Sequence, residues 1–184
     1  MTSSHTTGAS ARQELTPILK WVGGKRQLLD FIRPLIPEHT TYCEPFVGGG
    51  AVFFDLQPKK AVINDFNQEL INVYQTVKAQ PEELIELLLR HREQNSQEYF
   101  YQIRALDREP EKYEALTPAE RAARIIYLNK TCYNGLFRVN SAGQFNAPWG
   151  RYKNPNIVPE DNIRAMSRYL NKSKTAIRCG DYRE

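Results

Sequence analysis

A tight glycine turn between a short strand and a helix, with a second strand and helix directly after it, constrains this chain more than any other feature. Residues 41–46 read as a strand, Val47-Gly48-Gly49-Gly50 as a turn, and residues 51–56 as the start of a helix. Ala61-Val62-Ile63-Asn64-Asp65 is a second, buried strand, and residues 66–78 form a second helix. Strand, turn, helix, strand and helix in that order make a βαβ unit, which implies a parallel sheet and an α/β fold class.

Glycines at a strand–helix turn let backbone approach a ligand with no Cβ in the way. Asp65 follows Gly48 by seventeen residues and ends the next strand, where a carboxylate can accept hydrogen bonds from ribose hydroxyls. Two readings of this arrangement stand side by side. One is a nucleotide-like ligand; the other is a tight turn with Asp65 capping a helix. A dinucleotide would set its pyrophosphate on the helix N-terminus. The GxGxxG spacing for that is absent, since Gly48-Gly49-Gly50 runs into Ala51-Val52-Phe53, which disfavours a nicotinamide-dependent oxidoreductase.

Elsewhere the chain alternates between helical and turn-rich segments. Residues 18–24 read as an extended run ending in a glycine turn, and residues 25–35 as a helix with Leu28, Leu29, Ile32 and Leu35 on one face, stopped by Pro34 and Pro37. Residues 82–91 and 96–106 are amphipathic helices. Thr117-Pro118-Ala119-Glu120 is a capping box with proline at the first helical position, opening a helix over 121–128. Residues 137–146 read as two short polar-aromatic strands around a Ser141-Ala142-Gly143 turn, a hairpin. Residues 159–170 return to helix, and 175–180 to a third sheet strand. The expected division is a flexible tail over 1–15, a first part of the core over 16–75, a helical insertion over 76–160 and a return to the core over 161–184.

Charge separates the two ends. Residues 121–184 carry 12 basic and 4 acidic groups, whereas residues 1–120 carry 13 basic and 17 acidic. The basic end also holds Tyr127, Tyr133, Phe137, Phe145, Trp149 and Tyr152, and basic groups interleaved with aromatics suit a polyanion. A hydrophobic share of 41% is enough for a core. No apolar run reaches the ~18 residues of a membrane-spanning helix. The small polar residues 1–10 do not read as a secretory signal. Cys43, Cys132 and Cys179 are too scattered for a disulfide framework or a zinc site and suit a reducing cytoplasm; no metal site is expected. His5, His39 and His91 sit in polar or loop-like contexts and are not expected to be catalytic.

Several blocks in order resemble Dam-type adenine-N6 DNA methyltransferases. Lys20-Trp21-Val22-Gly23-Gly24-Lys25, Glu44-Pro45-Phe46-Val47-Gly48-Gly49-Gly50-Ala51-Val52-Phe53 and Asn64-Asp65 resemble the first three blocks of that family. Tyr127-Leu128-Asn129, Tyr133-Asn134-Gly135-Leu136-Phe137-Arg138 and residues 143–152 resemble its target-recognition segment. The resemblance runs from about residue 18 to the end of the chain. It implies an incomplete Rossmann-like S-adenosylmethionine-dependent core with an inserted helical target-recognition domain carrying a β-hairpin.

The resemblance also assigns residues. Trp21 and Lys25 would contact S-adenosylmethionine, Phe46, Gly48 and Gly50 would line its amino-acid portion, and Asp65 would take the ribose hydroxyls. Asp181 and Tyr182 resemble the block bordering its adenine. Double-stranded DNA, with GATC as the expected site, would meet Lys20, Tyr133, Asn134, Leu136, Arg138, Asn146 and Pro148. In chemical terms, Arg138 can offer two donors to guanine O6 and N7, Asn134 can serve an adenine edge or a phosphate, and Tyr133 can stack on bases left by a flipped nucleotide.

The family holds the flipped adenine with a D-P-P-Y-type block, which does not occur in these 184 residues. Asn146-Ala147-Pro148-Trp149 is only superficially similar, and no catalytic residue is assigned. In the family's order the block would follow soon after Glu184. The expectation is therefore an incomplete core, poorly stable and without methyl transfer alone, with the 41–46 strand as an apolar edge. Such a chain would be a truncated product, a DNA- and cofactor-binding fragment, or one half of a split enzyme completed by a second chain or a missing C-terminal part.

Overall fold

The computed structural model describes residues 13–183. The tail expected over residues 1–10 lies outside the described residues. Leu15, at the end of the 1–15 division, is buried in the core.

Three parallel strands form one sheet: β1 (Tyr42–Glu44), β2 (Lys60–Asp65) and β3 (Lys174–Cys179). β2 lies in the middle, with Ala61 opposite both Tyr42 and Thr175, and β1 is an edge among the described residues. The crossover from β1 to β2 passes through helix α2 (Ala51–Leu56), so the βαβ unit is formed as its pattern predicts. The β1 edge is not apolar, however. Cys43 is exposed, and the buried residue is Glu44.

The helices follow from their caps. Gly50 caps α2 with a left-handed backbone, φ 75°. The Asn67 side chain accepts from Leu70 N–H to open α3 (Gln68–Ala79), and Ser96 does the same for α5 (Gln97–Ala105). Pro81 starts α4 (Pro81–Glu93) directly after α3. Thr117 and Glu120 close both hydrogen bonds of the expected capping box at the start of α7 (Pro118–Thr131). The short α6 (Pro110–Glu114) was not legible beforehand; α8 (Glu160–Lys172) leads into β3.

Helix α7 is buried nearly all round, from Ala119 to Thr131, as befits a central helix. It packs on α3 and α4, and α3 packs in turn on α8 and the sheet. One buried cluster, including Phe53, Ile63, Leu70, Leu84, Phe100, Ile126, Phe145 and Leu170, runs unbroken across residues 76 and 160.

Two local expectations need correction. Residues 18–24 are not one extended run, since the chain bends at Ile18 and Leu19, although their glycine turn is present, with Gly24 N–H bonded to the Trp21 carbonyl at 3.1 Å. Residues 26–35 are one α-turn, α1 (Leu29–Ile32), between two 3-10 turns (Arg26–Leu28 and Arg33–Leu35). Tightening to three residues per turn breaks the apolar stripe. Leu28 and Leu35 of the expected face stand exposed, as does Phe31.

The hairpin over 137–146 is slighter than two strands. It has one antiparallel bridge, Val139 with Phe145, flanked by bonds from Asn146 N–H to the Arg138 carbonyl and from Asn140 N–H to the Gln144 carbonyl, both 2.9 Å. Its turn is set by the Asn140 carboxamide, which accepts from Ala142 and Gln144 N–H, and by Gly143 at φ 75°.

Candidate functional site

A cleft of about 240 Å³ opens over the C-terminal ends of β1 and β2. Its floor is the glycine turn, and Trp21, Lys25, Phe46 and Asp65 stand around it. Gly48 (φ 50°) and Gly50 (φ 75°) are left-handed. A Cβ on Gly48 would meet the Trp21 indole at 3.1 Å, and one on Gly50 would meet the Tyr74 hydroxyl at 2.7 Å. The turn therefore depends on the missing side chains both for its conformation and for the room above it.

The Asp65 carboxylate holds this turn from below. Oδ2 accepts from Gly48 N–H and Oδ1 from Asn67 N–H, each at 3.0 Å. Asp65 thus orders the turn and lines the cleft, while the cap of α3 is Asn67, and each Asp65 oxygen keeps a lone pair for a further donor. The Tyr74 hydroxyl donates to the Gly48 carbonyl at 2.7 Å; burial, then the charges of Glu44 and Asp65, raise its pKa well above the ordinary value, so it stays a neutral donor. The Asn64 amide ties the ends of the sheet together by donating to the carbonyls of Pro45 and Gly180.

Lys25 faces Glu44 at 3.7 Å. Glu44 is buried and accepts from the Tyr42 hydroxyl at 2.9 Å; burial raises its pKa, against the opposing pull of Tyr42 and Lys25. Phe46 lies on the rim with the Tyr182 ring 5.1 Å away, both exposed. Asp181 binds Arg183 through both oxygens, which holds its pKa below the ordinary value. Neither Asp181 nor Tyr182 is among the residues walling the cleft.

The residues expected on the DNA side lie next to it. Lys20, Tyr133, Asn134, Leu136, Arg138 and Pro148 are exposed, and Asn146 is half-buried. Phe145 turns inward and is buried. Asn134 adopts φ 55° and Gly135 φ 63°, a pair of left-handed residues that would place a Gly135 Cβ 2.6 Å from the Lys20 side chain. The Arg138 guanidinium rests on Asn146, donating from Nε to Oδ1 at 2.7 Å and from Nη2 to the carbonyl at 3.0 Å. Lys130, at the end of α7, is pushed below its ordinary pKa by burial and then by Lys20.

Two contacts join the cleft to the hairpin. Trp21 stacks on Phe137 with centroids 4.6 Å apart and planes 23° from parallel. Asn129, buried in α7, bonds Lys20 on both sides of its backbone (2.9 and 3.0 Å) and the Gly135 carbonyl at 2.8 Å. Sequence reasoning placed Asn129 in a block resembling the target-recognition segment without giving it a role, and passed over Tyr74. A polar residue within Ile125-Ile126-Tyr127-Leu128-Asn129 was the available signal for the first. His91 closes the helix expected over 82–91, and its surroundings are aromatic rather than polar. It belongs to α4, stacks on Tyr127 at 4.9 Å and shares a 2.7 Å hydrogen bond with the Tyr99 hydroxyl. No described helix is long and apolar enough to cross a membrane.

A family model for D12 class N6 adenine-specific DNA methyltransferase matches residues 21–184. Among similar proteins, the Type II methyltransferase M1.LlaDCHI of Lactococcus lactis subsp. cremoris is 53% identical over 169 residues, covering 91% of this chain and 59% of that protein. The Type II methyltransferase M.MjaIII of Methanocaldococcus jannaschii is 42% identical over 186 residues, covering 92% and 63%. The DNA adenine methylase of Serratia marcescens is 38% identical over 170 residues, covering 90% and 59%. The chain spans about three fifths of the length of these relatives.

Proposed function

The chain belongs to the D12 class of N6 adenine-specific DNA methyltransferases, and from that premise we propose that these residues bind the methyl donor and read the DNA site for a protein that methylates adenine N6. The donor in this reading is S-adenosylmethionine, which supplies an electrophilic methyl on a sulfonium. The donor set suits it: a cation at Lys25, an indole at Trp21, a turn without side chains at Gly48 and Gly50, and a carboxylate at Asp65. Lys25 would exchange its distant ion pair with Glu44 for the donor's carboxylate. Asp65 would accept the ribose hydroxyls, already oriented by Gly48 and Asn67. Phe46 would line the donor's amino-acid portion, and Tyr182, whose ring packs against it, would border the adenine together with Asp181.

On the DNA side, Tyr133 would fill the stack beside a flipped adenine and Asn134 would hold its phosphate or a base edge. Arg138 would address guanine, with Lys20, Leu136, Asn146 and Pro148 completing the readout of GATC. The helical segment and its hairpin act as a target-recognition insertion in a Rossmann-like core. The adenine amino lone pair is delocalised into the ring, so N6 needs acceptors to align it. The D-P-P-Y-type block for that is not in this sequence, and the roles assigned here are binding and readout. The remaining part of the core, in the same polypeptide or in a second chain, would supply it. A cytoplasmic place and a restriction–modification setting accord with this reading.

The observation that carries the proposal is the shared wall. Trp21 lines the cleft and stacks on Phe137, whose neighbour is Arg138. Calorimetric titration with S-adenosylhomocysteine and fluorescence anisotropy with GATC and scrambled duplexes test it. The chain is expected to bind both ligands and to prefer GATC. Arg138→Ala is expected to lose discrimination at one base pair, roughly 1–3 kcal/mol, without losing the cofactor product. Discrimination unchanged in Arg138→Ala would end the readout assignment.

A further inference from the structure

Arg138 is only as well placed as the arm it rests on, and that arm has little of its own to fix it. A ribbon with a single bridge, Val139 with Phe145, is marginal by itself. Besides the buried Phe145 ring and the Trp21–Phe137 stack, it is held by a charged cluster at the end of α5, outside both the cleft and the exposed reading face. Asp107 accepts from Phe145 N–H at 2.7 Å through Oδ2. The Arg108 guanidinium donates to the Phe145 carbonyl at 2.8 Å, and Arg104 to the Ala147 carbonyl at 3.2 Å. Asn146, the residue that carries Arg138, lies between these fixed points.

The cluster is itself anchored. Asp107 Oδ2 also pairs with Arg124 at 2.8 Å, and its Oδ1 with Arg108 at 2.6 Å. Arg124 is 2% exposed, and its Nε and Nη2 donate to the carbonyls of Ile103 and Arg104. Burying such an ionic group costs desolvation energy that an apolar contact would avoid. Its directional bonds supply position, and readout of base edges tolerates displacements of only about 0.5 Å.

Resting on the DNA-reading assignment above, we propose that Asp107, with Arg108 and Arg124, is a positioning centre for site discrimination. It sets the register of the returning arm, and through Asn146 it aims Arg138. Asn146 occupies Nε and one hydrogen of Nη2, so the donors left facing outward are those of Nη1 and the second Nη2 hydrogen. These form the end-on fork of the guanidinium, which can still address two acceptors on one base. The cluster touches no base itself.

Arg108→Met tests this, because Arg108 is the member with 32% of its side chain exposed and its loss leaves the buried Arg124–Asp107 pair intact. Asp107→Ala would strand the Arg124 charge and can simply unfold. Affinity of the full chain is measured for GATC and for duplexes changed at one base pair at a time, with Arg138→Ala marking the pair that Arg138 reads. Arg108→Met is expected to lose about tenfold discrimination at that same pair. Its preference at the other pairs, its salt slope and its S-adenosylhomocysteine affinity should stay at wild-type values. Equal loss at every pair, or no loss, overturns the proposal. A wild-type chain with no preference at any pair would instead remove the readout assignment, and this inference with it.

Discussion

Gly50 and Gly23 have nearly the same φ, 75° and 74°, in different surroundings. A Cβ at Gly23 meets nothing within 4 Å, whereas one at Gly50 meets the Tyr74 hydroxyl at 2.7 Å and the Phe54 ring at 2.8 Å. Gly23→Ala is expected to cost only the left-handed backbone strain, about 1–2 kcal/mol. Gly50→Ala adds overpacking and is expected to cost roughly 2–4 kcal/mol and to weaken S-adenosylhomocysteine binding. Urea denaturation of the two variants separates the effects; equal costs would mean that the wall behind Gly50 yields. Gly48, Gly50 and Asp65 were legible because their role lies in local spacing along a strand–turn–helix unit. Tyr74 and Asn129 were not, because their partners lie 26 residues away in one case and 109 and 6 in the other, and nothing in the spacing announces them.

At the scale of elements, the packing of α4 on α7 carries a pH dependence. Burial pushes His91 down to about 4, while it stacks on Tyr127 and bonds Tyr99. The unfolded chain, with an ordinary imidazole near 6.5, then binds more protons than the folded one between the two values. Stability therefore rises with pH across this window and is lost as pH falls from about 6.5 to about 4, by up to about 3 kcal/mol. Urea midpoints measured along that range should fall in the wild type and stay flatter in His91→Phe. The same slope in both would assign the acid sensitivity to other groups. Periodicity revealed α3, α4 and α8 because each buries a stripe, and α5 through a narrower one around Phe100, while the capping box announced α7, which is buried nearly all round. Residues 26–35 misled because apolar spacing does not distinguish an α-turn from 3-10 turns, and the hairpin because its hold comes from Asp107 and Arg108 outside it rather than from a ladder.

For the whole molecule, the consequential surface is apolar. Val22, Leu28, Phe31, Leu35, Phe46 and Phe66 are all exposed, and β1 offers an unpaired edge among the described residues. Surfaces of this kind associate. In sedimentation velocity the chain is expected to gain mass with concentration, and Phe31→Glu with Leu35→Lys to suppress that gain; a monomer at every concentration would contradict it. The parallel pairing of β1 with β2 followed from the βαβ pattern, but the exposure of the α1 surface did not, since the hydrophobicity of a residue does not say what will cover it.

The grip of Asn129 on Lys20 and Gly135 has a further consequence. One carboxamide rivets the segment beside the cleft to the turn before the hairpin, so neither can drift from the other without breaking its two bonds to Lys20 or its one bond to Gly135. On the proposed reading, such a protein would acquire a new target preference by exchanging what projects from this frame, at Lys20, Arg138 or Asn146, and not by reshaping the frame.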